Sequence, residues 1–152
     1  MKVKEIMTKE VVSIRPELGV KDALILLFKM KISGLPVIDS QGKLVGMFTE
    51  KDILKETLPS YIEKVGGFVY EEDPKSIKKK FEGMGSATVS QLMRKEVVTV
   101  DENASLSEIA RIMLIQKVRR IPVLDKAKKV VGIVAREDIV KAYAEEVGWK
   151  ID

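Results

Sequence analysis

The sequence predicts an α/β (α+β) protein. Two tandem strand–helix–strand–strand–helix units pack about a pseudo-twofold axis, with an ordered helical insertion between them. Three observations carry that expectation. First, the 152-residue chain repeats itself, since residues 3–54 align with residues 89–140 at a constant offset of 86, without a gap and with 15 identities in 52 pairs. A duplication is the first thing to look for, because it sets the structural unit. Second, each copy runs from a β-branched segment to a helical apolar stripe and back to β-rich segments. Third, hydrophobic residues make up 45% of the chain, enough for a core, yet a unit of about 50 residues buries too little surface to be comfortable alone. Two copies sharing a core resolve this.

Each element follows in order. Val11-Val12-Ser13-Ile14 is a β-branched run stopped by Pro16, and predicts a strand. Val20, Ala23, Leu24, Leu27 and Phe28 fall at i, i+3, i+4, i+7 and i+8, the stripe of an amphipathic helix. The second copy repeats it with Leu106, Ile109, Ala110, Met113 and Leu114, and Ser105-Leu106-Ser107-Glu108 forms a capping box before it. Leu35 to Ile38 reads as a short strand, Ser40-Gln41-Gly42 as a turn, Leu44 to Phe48 as a second strand, and a helix follows from Glu50. Gly46 and Gly132 interrupt otherwise continuous strands, which implies a bulge or a close backbone approach, caused by packing between the copies rather than by a ligand.

The resulting organisation is residues 1–54, an insertion at 55–88, and residues 89–152. The insertion is no Gly/Ser tether, because Leu58, Tyr61, Ile62, Val65, Phe68 and Val69 are apolar. Asp73-Pro74 suits an N-cap and first-turn proline for a helix running to about Gly83.

Composition excludes several functions. There is no cysteine and no histidine, which removes disulfides, thiol nucleophiles, imidazole bases and ordinary zinc sites. No metal site and no enzyme are expected, since nothing marks an isolated carboxylate or lysine pair for catalysis. The 27 basic and 23 acidic residues leave +4. By segment the excess is 9 − 7 = +2, 6 − 6 = 0 and 12 − 10 = +2, a property of two similar halves rather than the one-sided basic patch of a nucleic-acid surface. No run of some 18 apolar residues exists and the first residues lack a signal peptide's apolar segment, so a cytoplasmic protein without membrane contact is expected. Charged residues at 33% and a single asparagine, Asn103, suit a thermophile, although seven methionines point the other way.

The repeated pattern Met7-Thr8, Val11 to Ile14, Ile32-Ser33-Gly34-Leu35-Pro36-Val37-Ile38-Asp39, Leu44-Val45-Gly46 and Thr49-Glu50-Lys51-Asp52, matched by Val97 to Val100, Arg119-Arg120-Ile121-Pro122-Val123-Leu124-Asp125, Val131-Gly132 and Asp138, resembles the CBS domain. Two copies resemble a CBS pair, or Bateman module. That resemblance implies a regulatory sensor that binds an adenosine-containing ligand (AMP, ADP, ATP or S-adenosylmethionine) in clefts between the motifs, requires no other cofactor, forms a homodimer, and signals to an effector protein in trans. It implies that Thr49, Asp52 and Asp138 contact ribose and phosphate, and that Ser33 and Arg119, with Arg120, stand at the phosphate position. Ser13, Ile14, Thr99 and Val100 would flank adenine, with Ile32, Pro36, Val118 and Pro122 beside them. Ala135 departs from the pattern by removing the hydroxyl that Thr49 supplies, so the two sites are expected to be unequal.

Other readings stay open on the residues themselves. Asp52 and Asp138 also suit helix capping, the valine runs also suit a core, and Arg119-Arg120 also suits a solvated helix end. A structural or nucleic-acid-associated adaptor with vestigial clefts is the alternative function. The terminal helix face of Ile139, Val140, Tyr143, Ala144 and Val147 is the expected twofold interface.

Overall fold

The computed structural model describes residues 1–58 and 74–151. The apolar residues of the insertion from Tyr61 to Val69 lie outside the described residues. The elements are α1 (Val20–Met30), β1 (Gly34–Ile38), β2 (Leu44–Thr49), α2 (Glu50–Thr57), α3 (Pro74–Gly83), α4 (Val89–Leu92), β3 (Val100–Asp101), α5 (Leu106–Gln116), β4 (Arg120–Leu124), β5 (Val130–Ala135) and α6 (Arg136–Glu146). Among the described residues no helix is long and apolar enough to cross a membrane. Helix α3 spans Pro74–Gly83, and Asp73, expected as its N-cap, lies outside the described residues.

Two compact units result, and they are not the two halves of the sequence. A terminal unit comprises Met1–Val12 and Val98–Asp152, and a central unit comprises Ser13–Val97. The leading segment of each copy is therefore built into the other copy's unit. In the central unit the Val89 N–H donates to Leu18 O at 2.8 Å and the Ser90 N–H to Pro16 O at 2.9 Å. In the terminal unit the Val3 N–H donates to Ala104 O at 2.9 Å and the Lys4 N–H to Glu102 O at 3.2 Å. These are the same bonds at the 86-residue offset, with the donors exchanged. Val3 and Val89 are both completely buried, so burial of one apolar side chain anchors each exchanged segment.

Each unit has a small sheet. In the central unit β1 pairs antiparallel with β2, Gly34 opposite Thr49 and Val37 opposite Gly46. In the terminal unit β4 pairs antiparallel with β5 in the matching register, Arg120 opposite Ala135 and Val123 opposite Gly132. Both hairpins slip register by one residue at the same place, after Val37 and after Val123, and this bulge lies beside the strand glycines. Those glycines also meet the exchanged segments. A Cβ on Gly46 would stand 2.6 Å from Met93 Sδ, and one on Gly132 would stand 2.3 Å from Met7 Sδ. A bulge and a close approach are both present at these glycines, and the close approach is to the segment supplied by the other copy.

The first predicted strand is much shorter than expected. In the central unit it is one bridge, Ile14 beside Val37; in the terminal unit it is β3, Val100–Asp101, parallel to β4. The ladder bonds explain the difference between the two units. In the terminal unit the Glu102 N–H continues the pairing by donating to Leu124 O at 3.0 Å. The equivalent residue in the central unit is Pro16, which has no N–H to give, so pairing ends at the Ile38 N–H to Ile14 O bond, 2.9 Å. The capping box before α5 also forms only in part: the Glu108 N–H donates to Ser105 Oγ at 3.3 Å, while Ser105 Oγ also lies 3.3 Å from Ser107 Oγ.

Candidate functional site

The candidate residues collect at one end of each hairpin. In the central unit β2 runs directly into α2, with Thr49 as the N-cap. The Thr49 N–H donates to Asp52 Oδ2 at 2.8 Å, and the Thr49 hydroxyl donates to the same oxygen at 3.1 Å. The Glu50 N–H, at the start of α2, donates to Ser33 O at 2.9 Å. Ser33, Thr49 and Asp52 are thereby tied into one cluster, all half-buried. Among the described residues Asp52 Oδ1 accepts no bond, so one carboxylate oxygen remains for a guest while the other fixes its direction.

The terminal unit repeats this frame with different side chains. The Ala135 N–H donates to Asp138 Oδ2 at 2.7 Å, and the Arg136 N–H donates to Arg119 O at 2.9 Å. Asp138 is half-buried, Arg120 half-buried and Arg119 exposed. Among the described residues neither guanidinium makes an ion pair or hydrogen bond, and Asp138 has no cation in range; Lys141–Glu145 is the ion pair found. Helix capping therefore accounts for one oxygen of each aspartate and leaves the other.

The solvated-helix-end reading of Arg119-Arg120 does not hold. Helix α5 stops at Gln116, Lys117 closes it in the left-handed conformation, and Arg120 is already the first residue of β4. The arginines stand beside the start of α6, not at the C-terminal end of α5.

The remaining candidates lie one or two residues further along the strands. Ile14 receives its ladder bond from β1, the Ile14 N–H donating to Pro36 O at 3.0 Å, and Ser13 beside it is exposed. Ile14, Val100 and Val118 are packed into the cores of their units, and Pro36 and Pro122 are buried. Their side chains are taken up by packing within the units. Thr99 and Ile32 are half-buried and retain some accessible surface.

One pairing beside the candidate site escaped the sequence reading. Gly34 and Thr49 face each other across the hairpin, and a Cβ on Gly34 would stand 2.7 Å from Thr49 Cγ2. The flanking Glu50 N–H to Ser33 O bond marks this as a non-hydrogen-bonded pair, in which side chains approach closest. In the terminal unit the same pair is Arg120 and Ala135. The signal was present as two substitutions at aligned positions, but it becomes one exchange only when the strands are paired.

A family model for the CBS domain matches residues 3–58 and 89–145. Inosine-5'-monophosphate dehydrogenase of Aquifex aeolicus is 33% identical over 131 residues, which is 86% of this chain and 22% of that enzyme. CBSX1, a chloroplastic CBS domain-containing protein of Arabidopsis thaliana, is 32% identical, and the chain spans 63% of its length. Curated relatives such as these are longer than the chain. Among solved structures, the CBS-pair protein CBSX2 from Arabidopsis thaliana superimposes with a TM-score of 0.78 at 30% identity, covering 96% of both chains. Its complex with AMP gives 0.73 at 29% identity, over 96% of this chain and 98% of that one. The CBS domain pair of protein MJ0100, bound to 5'-methylthioadenosine and S-adenosyl-L-methionine, gives 0.70 at 26% identity, over 96% and 98%.

Proposed function

The chain belongs to the CBS domain family, and on that premise we propose that it is a non-catalytic regulatory module that binds an adenosine-containing ligand. AMP, ADP, ATP and S-adenosylmethionine are the candidates. One observation supports the reading most directly: the aspartate at the third position of α2 and of α6 is held by a backbone N–H through one oxygen, with the other oxygen unbonded among the described residues. A carboxylate so fixed can accept both hydroxyls of a ribose, each charged hydrogen bond contributing about 1.5–3 kcal/mol. The two related structures bound to adenosine derivatives support the ligand class.

On this reading the module works in the cytoplasm, and binding biases two states of the module that an effector protein distinguishes in trans. It acts as a homodimer. Phe28 and Leu54 in one unit, and their equivalents Leu114 and Val140 in the other, are exposed, a matched pair of apolar faces such as a closed twofold contact uses. Tyr143 and Val147 extend the face on α6, whereas Ile139 does not belong to it, being 3% exposed in the core.

Calorimetry and thermal melting with AMP, ADP, ATP, S-adenosylmethionine, NAD and a short RNA test the proposal. A ligand at 100 times its dissociation constant should stabilise the fold by about 2.7 kcal/mol, which for a chain of this size raises the melting point by roughly 5–10 °C. No response to any adenosine compound would refute the reading; a response to RNA alone would favour an adaptor.

A further inference from the structure

We propose that Met7 and Met93 are paired oxidation sites: conversion of either thioether to its sulfoxide by a peroxide unlatches the exchanged segment that it holds. Among the seven methionines of the chain, these two alone are repeat equivalents.

The two side chains fill the same notch, each in its own unit. A Cβ on Gly132 would stand 2.3 Å from Met7 Sδ, 2.7 Å from its Cγ and 3.0 Å from its Cε. One on Gly46 would stand 2.6 Å from Met93 Sδ and 3.0 Å from its Cγ. Each thioether thus takes the space over a strand glycine that a methyl group would otherwise occupy. The next residue stitches the segment's backbone to the same strand: Thr8 and Ile133 exchange both bonds at 2.9 Å, and so do Arg94 and Met47. An unbranched thioether packs closely on a glycine. A sulfoxide does not, because its sulfur is pyramidal and carries a polar oxygen. The backbone donors of the adjoining bridge are already used, so that oxygen finds none of them free in the notch. The oxidised side chain either pushes the strand away or leaves the notch, and the apolar contact that seats the segment is lost in both cases.

Exposure separates these two from the other five. Met47, Met84 and Met113 are buried, while Met1 and Met30 are exposed and lie outside both core clusters. Met7 and Met93 are half-buried and pack against the cores of their units. They are therefore both open to a small oxidant and engaged in packing. With hydrogen peroxide the step is complete: a sulfur lone pair attacks one peroxide oxygen, the O–O bond breaks as the S–O bond forms, and the departing hydroxide takes up the remaining proton to leave as water. Sulfur loses two electrons and the peroxide gains them. Sulfoxide reductases reverse the change, so the latch can be reset. The strands it holds lead into the candidate site, Ile133 lying two residues before Ala135 and Met47 two before Thr49.

The test treats the full chain with dilute hydrogen peroxide, maps the added oxygen by peptide mass spectrometry and follows melting and amide exchange. Met7 and Met93 should each gain one oxygen while Met47, Met84 and Met113 gain none. The melting point should fall by about 3–10 °C, and a mixture of sulfoxide reductases of both stereospecificities should restore it. Leucine is close to methionine in volume and does not oxidise, so the double variant Met7→Leu with Met93→Leu should lose most of that fall, whereas Met30→Leu should keep it. In the unmodified chain the amides of Thr8, Ile133, Met47 and Arg94 should exchange at least about tenfold faster after oxidation, a readout that does not depend on how well the leucine variant folds. An equal fall in the double variant, unchanged exchange at those four amides, or Met7 and Met93 left intact while Met30 is fully oxidised would overturn the proposal.

Discussion

Replacing Gly46 with alanine should destabilise the protein markedly more than replacing Gly132, although the two glycines are repeat equivalents. On Gly46 the new Cβ would stand 2.6 Å from Met93 Sδ, 2.9 Å from Arg94 O and 3.0 Å from Met93 Cγ. The thioether can swing away through three rotatable bonds. The carbonyl cannot, because Met47 and Arg94 exchange both backbone bonds at 2.9 Å. Moving Arg94 O by about 0.5 Å, to ordinary contact distance, strains or breaks that bridge. Overpacking of this kind costs about 1–3 kcal/mol and the two bridge bonds about 1 kcal/mol each, so a loss of about 2–4 kcal/mol is expected after partial relaxation. On Gly132 the three nearest atoms, at 2.3, 2.7 and 3.0 Å, all belong to the side chain of Met7, which is only half-buried. That variant should lose about 1–2 kcal/mol.

Thermal and urea denaturation measure both. At roughly 2–4 °C per kcal/mol for a chain of this size, Gly46→Ala should melt about 5–15 °C lower and Gly132→Ala about 2–8 °C lower. Second-site changes separate the causes. Met7→Ala should recover most of the strain in Gly132→Ala, whereas Met93→Ala should recover little in Gly46→Ala, since Arg94 O is still in the way. Equal losses in the two single variants, or full recovery of Gly46→Ala by Met93→Ala, would show that the backbone contact is not what holds this position to glycine.

Three further outcomes are expected. Lys128 sits at φ 65°, where its repeat equivalent Gly42 sits at 81°, so Lys128→Gly should raise stability by about 0.5–1 kcal/mol in denaturant melts, and Gly42→Lys should lower it comparably. Asp52→Ala removes the acceptor of two bonds and Asp138→Ala the acceptor of one; the first should cost about 1–2 kcal/mol and the second about 1 kcal/mol or less, and AMP titration of the two should show unequal weakening, equal losses counting against distinct sites. A fragment of residues 13–97 should give a cooperative melt and dispersed NMR signals, while residues 1–54 should not, because that piece lacks Val89, Met93 and Arg94, which complete its core and sheet.

Much of the fold could be read from periodicity. The helices α1, α2, α5 and α6 and the hairpins β1–β2 and β4–β5 lie where apolar stripes, turn residues and β-branched runs placed them, because each is decided by its own few residues and a buried face. Elements that depend on a distant donor were not legible in the same way. The Val11 to Ile14 run has the composition of a strand, yet it is divided between the two units after Val12, and of its four residues only Ile14 forms a bridge to β1. The positive φ at Lys128 was hidden for the opposite reason: a tight turn after Asp125, whose carboxylate accepts the Lys129 N–H at 3.0 Å, imposes a conformation that the lysine itself disfavours.

The exchange of leading segments was beyond any local reading, and it changes what the repeat means. Identical residues at an offset of 86 show that two equivalent surroundings exist, but they do not say which copy supplies each part, because Val3 and Val89 fill the same role in either arrangement. What decides is connection: the bonds from Val89 to Leu18 and from Val3 to Ala104 make each unit incomplete without a segment from the other half of the sequence. Neither copy can then drift toward an independent domain without opening a cavity where its anchoring valine should be, a loss of several kcal/mol for a fully buried side chain and its backbone bonds. Each copy thereby keeps the same backbone frame while its candidate site residues are left free to differ. That is the pattern at Gly34–Thr49 and Arg120–Ala135, where the backbone bonds that aim Asp52 and Asp138 are kept and the side chains around them have been exchanged.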